Sequence, residues 1–195
     1  ISGFGTFISS THAGVPVTWT LSEPFGSMEW WPCKNGLNDK ADSLDMFIST
    51  PSTFRVAGNG KRISETVTGS DRMTYWKHRY AISSYQVALS VAKFVQYPTV
   101  PAIVNIGGTN MELYNLLWSS TNTANAHTAL DRTADMLTVF SNRFSDYPFK
   151  NEKYGHVAYT FGGGMENQTA SYIGTGSLSS KSLLAHELSH QWWGD

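Results

Sequence analysis

A single cysteine, Cys33, in 195 residues excludes an internal disulfide framework and any cysteine-built metal cluster, so a metal held by this chain must sit on histidine and carboxylate ligands. Charge of one sign is lacking too. Lys and Arg number 14 against 15 Asp and Glu, which leaves no basic field to gather nucleic acid or anionic lipid and no acidic tract to draw a basic partner. Small neutral substrates suit such a surface better. No apolar run approaches the ~20 residues that span a bilayer, so no membrane segment is expected, and residue 1 is Ile rather than a charged signal-peptide start. What is present is apolar: 41% hydrophobic and 13% aromatic residues suffice for a sizeable core. Ile1 and the ending Trp192-Trp193-Gly194-Asp195 read as the ends of a piece of a longer protein. The compartment stays open; low charge and abundant Ser, Thr, Gly and aromatics lean towards a secreted or periplasmic home.

The first half carries short alternating runs. Val15 to Leu21 and Thr53 to Ala57 read as strands, and Gly58-Asn59-Gly60 supplies an Asn-Gly pair suited to the positive φ of a tight hairpin turn. From Tyr85 to Val91, Tyr85, Val87, Leu89 and Val91 fall on one face and Gln86, Ala88 and Ser90 on the other, the period of a half-buried strand. Pro98 and Pro101 then break the pattern, which puts a domain boundary near residue 97. Beyond it the period changes. Leu130, Ala134, Leu137, Phe140 and Phe144 recur at helical steps, giving an amphipathic helix ended by Tyr147-Pro148, and a strand at Val157 to Phe161 runs into Gly162-Gly163-Gly164. The last helix starts at Ser179 or Ser180 and continues to Trp193.

That helix carries His186-Glu187-Leu188-Ser189-His190, an HExxH sequence. Two histidines four apart sit one turn apart on one face, opposite Leu184, Leu188 and Trp192, so both rings can reach one zinc ion at ~2.0–2.1 Å. Glu187, off the histidine direction, can act as general base on a water at the metal without displacing it. A chance register of two surface histidines is the competing explanation. The helix has only Lys181 and Glu187 as charged residues, so it reads as buried, with histidines that need partners.

Upstream, Gly163-Gly164-Met165-Glu166-Asn167 lies after the Val157 strand. Together with His186 to Asp195 it resembles the aminopeptidase N family of gluzincin metallopeptidases, which carry Gly-x-Met-Glu-Asn before HExxH and Gln-Trp-aromatic-Gly after it. Thr20-Leu21-Ser22-Glu23-Pro24, Pro32-Cys33, Asp39-Lys40-Ala41 and Ile82-Ser83-Ser84-Tyr85 extend the resemblance through the first half. Met28 and Leu21 depart from the family, standing where many members have Arg and Gln.

The resemblance implies an α+β fold: an antiparallel, saddle-like N-terminal β-domain (1–97), then the first part of a thermolysin-like α/β catalytic domain (98–195). It implies a zinc-dependent aminopeptidase acting on peptides with a free N-terminus. Zinc sits on His186 and His190, Glu187 is the catalytic base, and Glu166, joined by Glu23, grips the substrate amino group. Gly163, Gly164, Met165 and Asn167 frame the peptide backbone by strand addition. A third zinc ligand, a glutamate, and an oxyanion-stabilising tyrosine would both follow Asp195. Residues 1–195 alone are therefore expected to be nearly inactive, since an oxyanion donor alone contributes ~10²- to 10³-fold. Alternatives are an epoxide hydrolase on the same scaffold, a thermolysin-type endopeptidase, and a non-catalytic folding or binding module. Asn167-Gln168-Thr169 has the form of a glycosylation sequon, but its overlap with the site argues against modification. His12, His78, His127 and His156 have no partner at ligand spacing, and Cys33 and the tryptophan pairs read as packing residues.

Overall fold

The structure, a computed structural model, describes residues 6–194. It divides into two compact units, one running up to Phe94 and the other from Val95.

The first unit is all β. Strands β1 (Phe7–His12) and β2 (Val15–Thr20) form a hairpin through Ala13 and Gly14, both at positive φ as a two-residue loop requires. Its other strands are β3 (Leu44–Pro51), β4 (Arg55–Gly58), β5 (Lys61–Thr68), β6 (Asp71–His78) and β7 (Leu89–Ala92). They make two open antiparallel sheets, ordered β1-β2-β7-β4 and β3-β6-β5. Val17, Trp19, Val56 and Trp76 are buried between their strands and loops.

Two expectations for this unit are corrected. Gly58-Asn59-Gly60 is not a hairpin turn: β4 pairs with β7 and β5 with β6, so the segment carries the chain from one sheet to the other. Asn59 is buried because its side chain replaces missing ladder bonds. Its Nδ2 donates to Gln86 O (3.0 Å) and its Oδ1 accepts from Ala88 N (2.7 Å). The strand expected from Tyr85 begins only at Leu89, after a 3-10 turn at Ser84–Gln86. Gln86, Ala88 and Ser90 are its more deeply buried side, since the Asn59 bridge fixes that face inward.

The second unit is built on a six-stranded sheet. Its elements are β8 (Val95–Ile106), β9 (Thr109–Leu117), α1 (Ala124–Leu130), α2 (Thr133–Arg143), β10 (Lys153–Tyr154), β11 (His156–Tyr159), β12 (Gly164–Met165), β13 (Ser171–Gly174) and α3 (Lys181–Ser189). β8 lies antiparallel on one side of β9. On the other side β10 and β11 run end to end, parallel to β9; β13 is parallel to β11, and β12 pairs antiparallel with β13 as the outer strand. Gly155 separates β10 from β11 at a point of very close approach: a Cβ there would lie 1.7 Å from Tyr114 O.

Pro98 and Pro101 fall inside β8 rather than between elements. The register shifts between Tyr97 and Ala102, and β8 pairs only with β9, so prolines without an N–H are tolerated on this edge. The helix expected from Leu130 to Phe144 is two helices. Thr123 caps α1 through Ala126 N, and the chain tightens at Arg132 N to Ala129 O before α2 begins. α2 closes at Phe144, ahead of Tyr147-Pro148. α3 packs against α1, α2, β12 and β13, sealing a core that includes Leu130, Leu137, Leu184 and Leu188. This antiparallel-rich architecture with few helices agrees with the expected α+β class.

Candidate metal and peptide site

α3 starts where its sequence allows a cap: Ser180 is extended and its hydroxyl accepts from Leu183 N. The α-helix ends at Ser189 rather than Trp193, because Gln191 and Trp192 donate to carbonyls three residues back and tighten the last turn. Leu184 and Leu188 are fully buried. The histidines are not: His186 is exposed and His190 half-buried, against the expectation of a buried pair. The i, i+4 face that frees both rings points away from the leucine side that anchors the helix. The buried charged residue of the motif is Glu187, 4% exposed.

The two imidazoles converge. Their Nε2 atoms stand 3.4 Å apart, with the rings nearly perpendicular at 86°. Two nitrogens at ~2.0–2.1 Å from one tetrahedral zinc ion must be ~3.3–3.4 Å apart, so the pair fits two corners of that geometry as it stands.

β12 brings the second motif to the helix. Met165 is buried in the β12–β13 pairing opposite Tyr172, while Gly162 and Gly163 are exposed and Gly163 has φ +81. Gly164 touches Glu187: a Cβ on it would lie 2.1 Å from Glu187 Oε1. Glu166 follows, half-buried, and ligand atoms of Glu166, Glu187 and His190 all lie within 4.8 Å of one another. Asn167 is 1% exposed, too buried to be glycosylated in the folded chain.

Two residues of this site escaped the sequence reading. Tyr159, at the end of β11 and fully buried, has its phenol pushed above its ordinary range by burial, with smaller contributions from the negative charges of Glu187 and Glu166. It stays a neutral phenol beside both carboxylates. Gln191, 2% exposed, bonds the segment after β12 through both ends of its carboxamide. In the sequence Gln191 stands only as the first residue of the Gln-Trp-aromatic-Gly run after HExxH, with no role attached to it.

The structure thus assembles His186, Glu187, His190, Gly164, Met165 and Glu166 within the second unit. Glu23 belongs to the first unit, exposed just after β2, where Leu21 is buried and Met28 exposed. Trp30 and Trp31 are half-buried rather than core, and Trp193 is 50% exposed, edge-on to Phe144. His156 and His78 are buried, and Cys33 is half-buried with its thiol pushed up by burial.

No model of a known protein family matches the chain, and no curated protein matches its sequence. Solved structures do match. An M1 zinc metallopeptidase from Deinococcus radiodurans aligns with a TM-score of 0.81 at 22% identity, covering 100% of this chain and 43% of that one. A mutant M1 zinc metallopeptidase from the same organism, bound to a Tyr-Ser-Ala substrate, gives 0.78 at 23% identity over 96% of this chain and 42% of its own. A two-domain M1 zinc metallopeptidase mutant bound to L-arginine gives 0.78 at 23% identity, with 96% and 41% covered. The chain therefore has the fold of the M1 zinc metallopeptidases and spans less than half of their length.

Proposed function

We propose that this chain is part of a zinc-dependent aminopeptidase that removes N-terminal residues from peptides. The observation that carries the reading is the 3.4 Å separation of His186 Nε2 and His190 Nε2 beside the buried Glu187. In this reading the first unit belongs to a saddle-like β-domain and the second begins a thermolysin-like catalytic domain. The peptide-bound neighbour supports the substrate class.

His186 and His190 would hold zinc, which when bound supplies Lewis acidity to a water and to a peptide carbonyl. Glu187 takes the proton of the attacking water and returns it to the departing amine. Glu166, within 4.8 Å of this base and of His190, ion-pairs with the α-ammonium of the substrate. An internal peptide segment cannot replace that ammonium, so cleavage is confined to the first peptide bond. The exposed Gly162 and Gly163 and the outer strand β12 offer backbone to which the substrate adds as a strand. The chain spans less than half the length of the structures it resembles, so the full-length protein is the form in which activity is to be tested.

The test is hydrolysis of free and N-acetylated aminoacyl anilides by the full-length protein. Cleavage of the free amine only, with kcat/KM strongly lowered but still measurable in Glu166→Ala, is expected; equal cleavage of the acetylated substrate would make the enzyme an endopeptidase.

A further inference from the structure

The metal-binding histidines and the amine-binding glutamate lie on separate elements, α3 and the segment after β12, and one buried side chain joins them. Gln191 Nε2 donates to Glu166 O at 3.0 Å, and Gln191 Oε1 accepts from Thr169 N at 2.7 Å and from Tyr147 OH at 3.3 Å. The orientation of the carboxamide is dictated by its partners. A carbonyl can only accept and an amide N–H can only donate, so the nitrogen must face Glu166 and the oxygen Thr169.

The segment held in this way has one turn bond of its own, from Ala170 N to Asn167 O at 2.9 Å, and still contains a residue whose backbone needs outside support. Thr169 has φ +67, a conformation that a β-branched residue adopts only when its surroundings impose it. Gln191 fixes its N–H, and Lys153 Nζ fixes its carbonyl at 2.8 Å. Both ends of the turn that follows Glu166 are thereby tied, one of them to the residue next to His190.

We propose that Gln191 is a positioning residue that sets the distance between the Glu166 carboxylate and the metal-binding histidines, and so matches the site to a substrate whose amino group and scissile carbonyl are one residue apart. The proposal rests on the aminopeptidase reading above. It adds to it the residue that measures out a single amino acid.

The experiment uses the full-length protein with Gln191→Glu and Gln191→Asn. The glutamate keeps the acceptor for Thr169 and loses the donor to Glu166; the asparagine, one methylene shorter, cannot reach both and adds no charge. In both, KM for a free-amine aminoacyl anilide is expected to rise about tenfold, the loss of roughly one hydrogen bond, with kcat less affected and zinc content unchanged. Amide exchange at Thr169 is expected to quicken in Gln191→Asn only, with Leu184 and Leu188 in α3 unaffected. In a Glu166→Ala background either substitution should change KM less than twofold, because it acts through Glu166.

An unchanged KM in both variants overturns the proposal. So does a loss additive with Glu166→Ala, or one that tracks loss of zinc, since either marks a merely structural role. If the parent protein binds no zinc and discriminates no free amine, the functional reading fails first and this proposal with it. Should Gln191→Glu not fold, Gln191→Asn alone decides.

Discussion

The carboxylate of Glu187 occupies the space that a side chain at residue 164 would need: a Cβ on Gly164 would meet Oε1 at 2.1 Å. Glu187, the proposed base, is thus pressed against the strand to which a peptide is proposed to add. Gly164→Val is expected to push Glu187 off this position while leaving the histidine pair intact. Steady-state kinetics should show kcat reduced by about 10²-fold or more with zinc content unchanged, because a displaced base loses most of the ~10²–10⁴-fold that proton transfer contributes. Unaltered kcat would mean that the close contact has no bearing on the reaction.

Glu187→Gln removes the base and keeps the shape. The expected outcome is one zinc per chain, as in the parent protein, with kcat lower by about 10²–10⁴-fold. Loss of zinc in this variant would make Glu187 a ligand rather than a base. The 4.8 Å grouping of Glu166, Glu187 and His190 makes that a real alternative to exclude.

Gly155→Ala tests the fold beneath the site. Its Cβ would lie 1.7 Å from Tyr114 O, a backbone atom of β9 that cannot swing aside. Chemical denaturation should register a destabilisation of about 1–3 kcal/mol, the range for overpacked positions. A neutral substitution would show that β10 and β11 can separate from β9 at no cost.

His156 gives the fold an acid limit. It is 1% exposed, its Nδ1 lies 2.8 Å from Asn115 Oδ1, and burial lowers its pKa from 6.5 to about 3. Since Oδ1 only accepts, Nδ1 carries the proton of the neutral ring. The folded state resists a proton that the unfolded chain takes up readily, so this contribution is complete above pH ~6.5 and is lost as pH falls towards ~3, by up to about 1.4 kcal/mol per pH unit. Denaturation at a series of pH values should show His156→Gln losing stability less steeply on acidification than the parent. Parallel curves would mean that another group sets the slope.

The geometry of the candidate site was legible where it depends on local spacing. His186, Glu187 and His190 fall on one turn of a helix whose start Ser180 announces, and Val15 to Thr20 shows its strand by alternation. What stayed hidden depends on partners distant in sequence. Asn59-Gly60 looks like a hairpin turn, and only the pairing of β5 with β6 reveals that it joins two sheets. Pro98 and Pro101 look like a gap between elements because nothing local says that β8 is an edge strand, although the two units divide only three residues from residue 97, after Phe94. The exposed face of α3 was misjudged for a related reason: few charges on a helix do not bury its histidines when the leucine stripe lies opposite. Gln191 and Tyr159 enter the site through contacts with residues 166–169 and 187, which no periodicity encodes.

The most direct test of the central claim is zinc content by elemental analysis of the full-length protein, His186→Ala and His190→Ala. The parent should hold one zinc per chain, and each variant should lose affinity by more than the ~10–100-fold typical of removing an outer-shell partner, since each removes a direct ligand. Zinc held equally by the parent and both variants, or by none of them, would contradict the reading of this pair as the metal site.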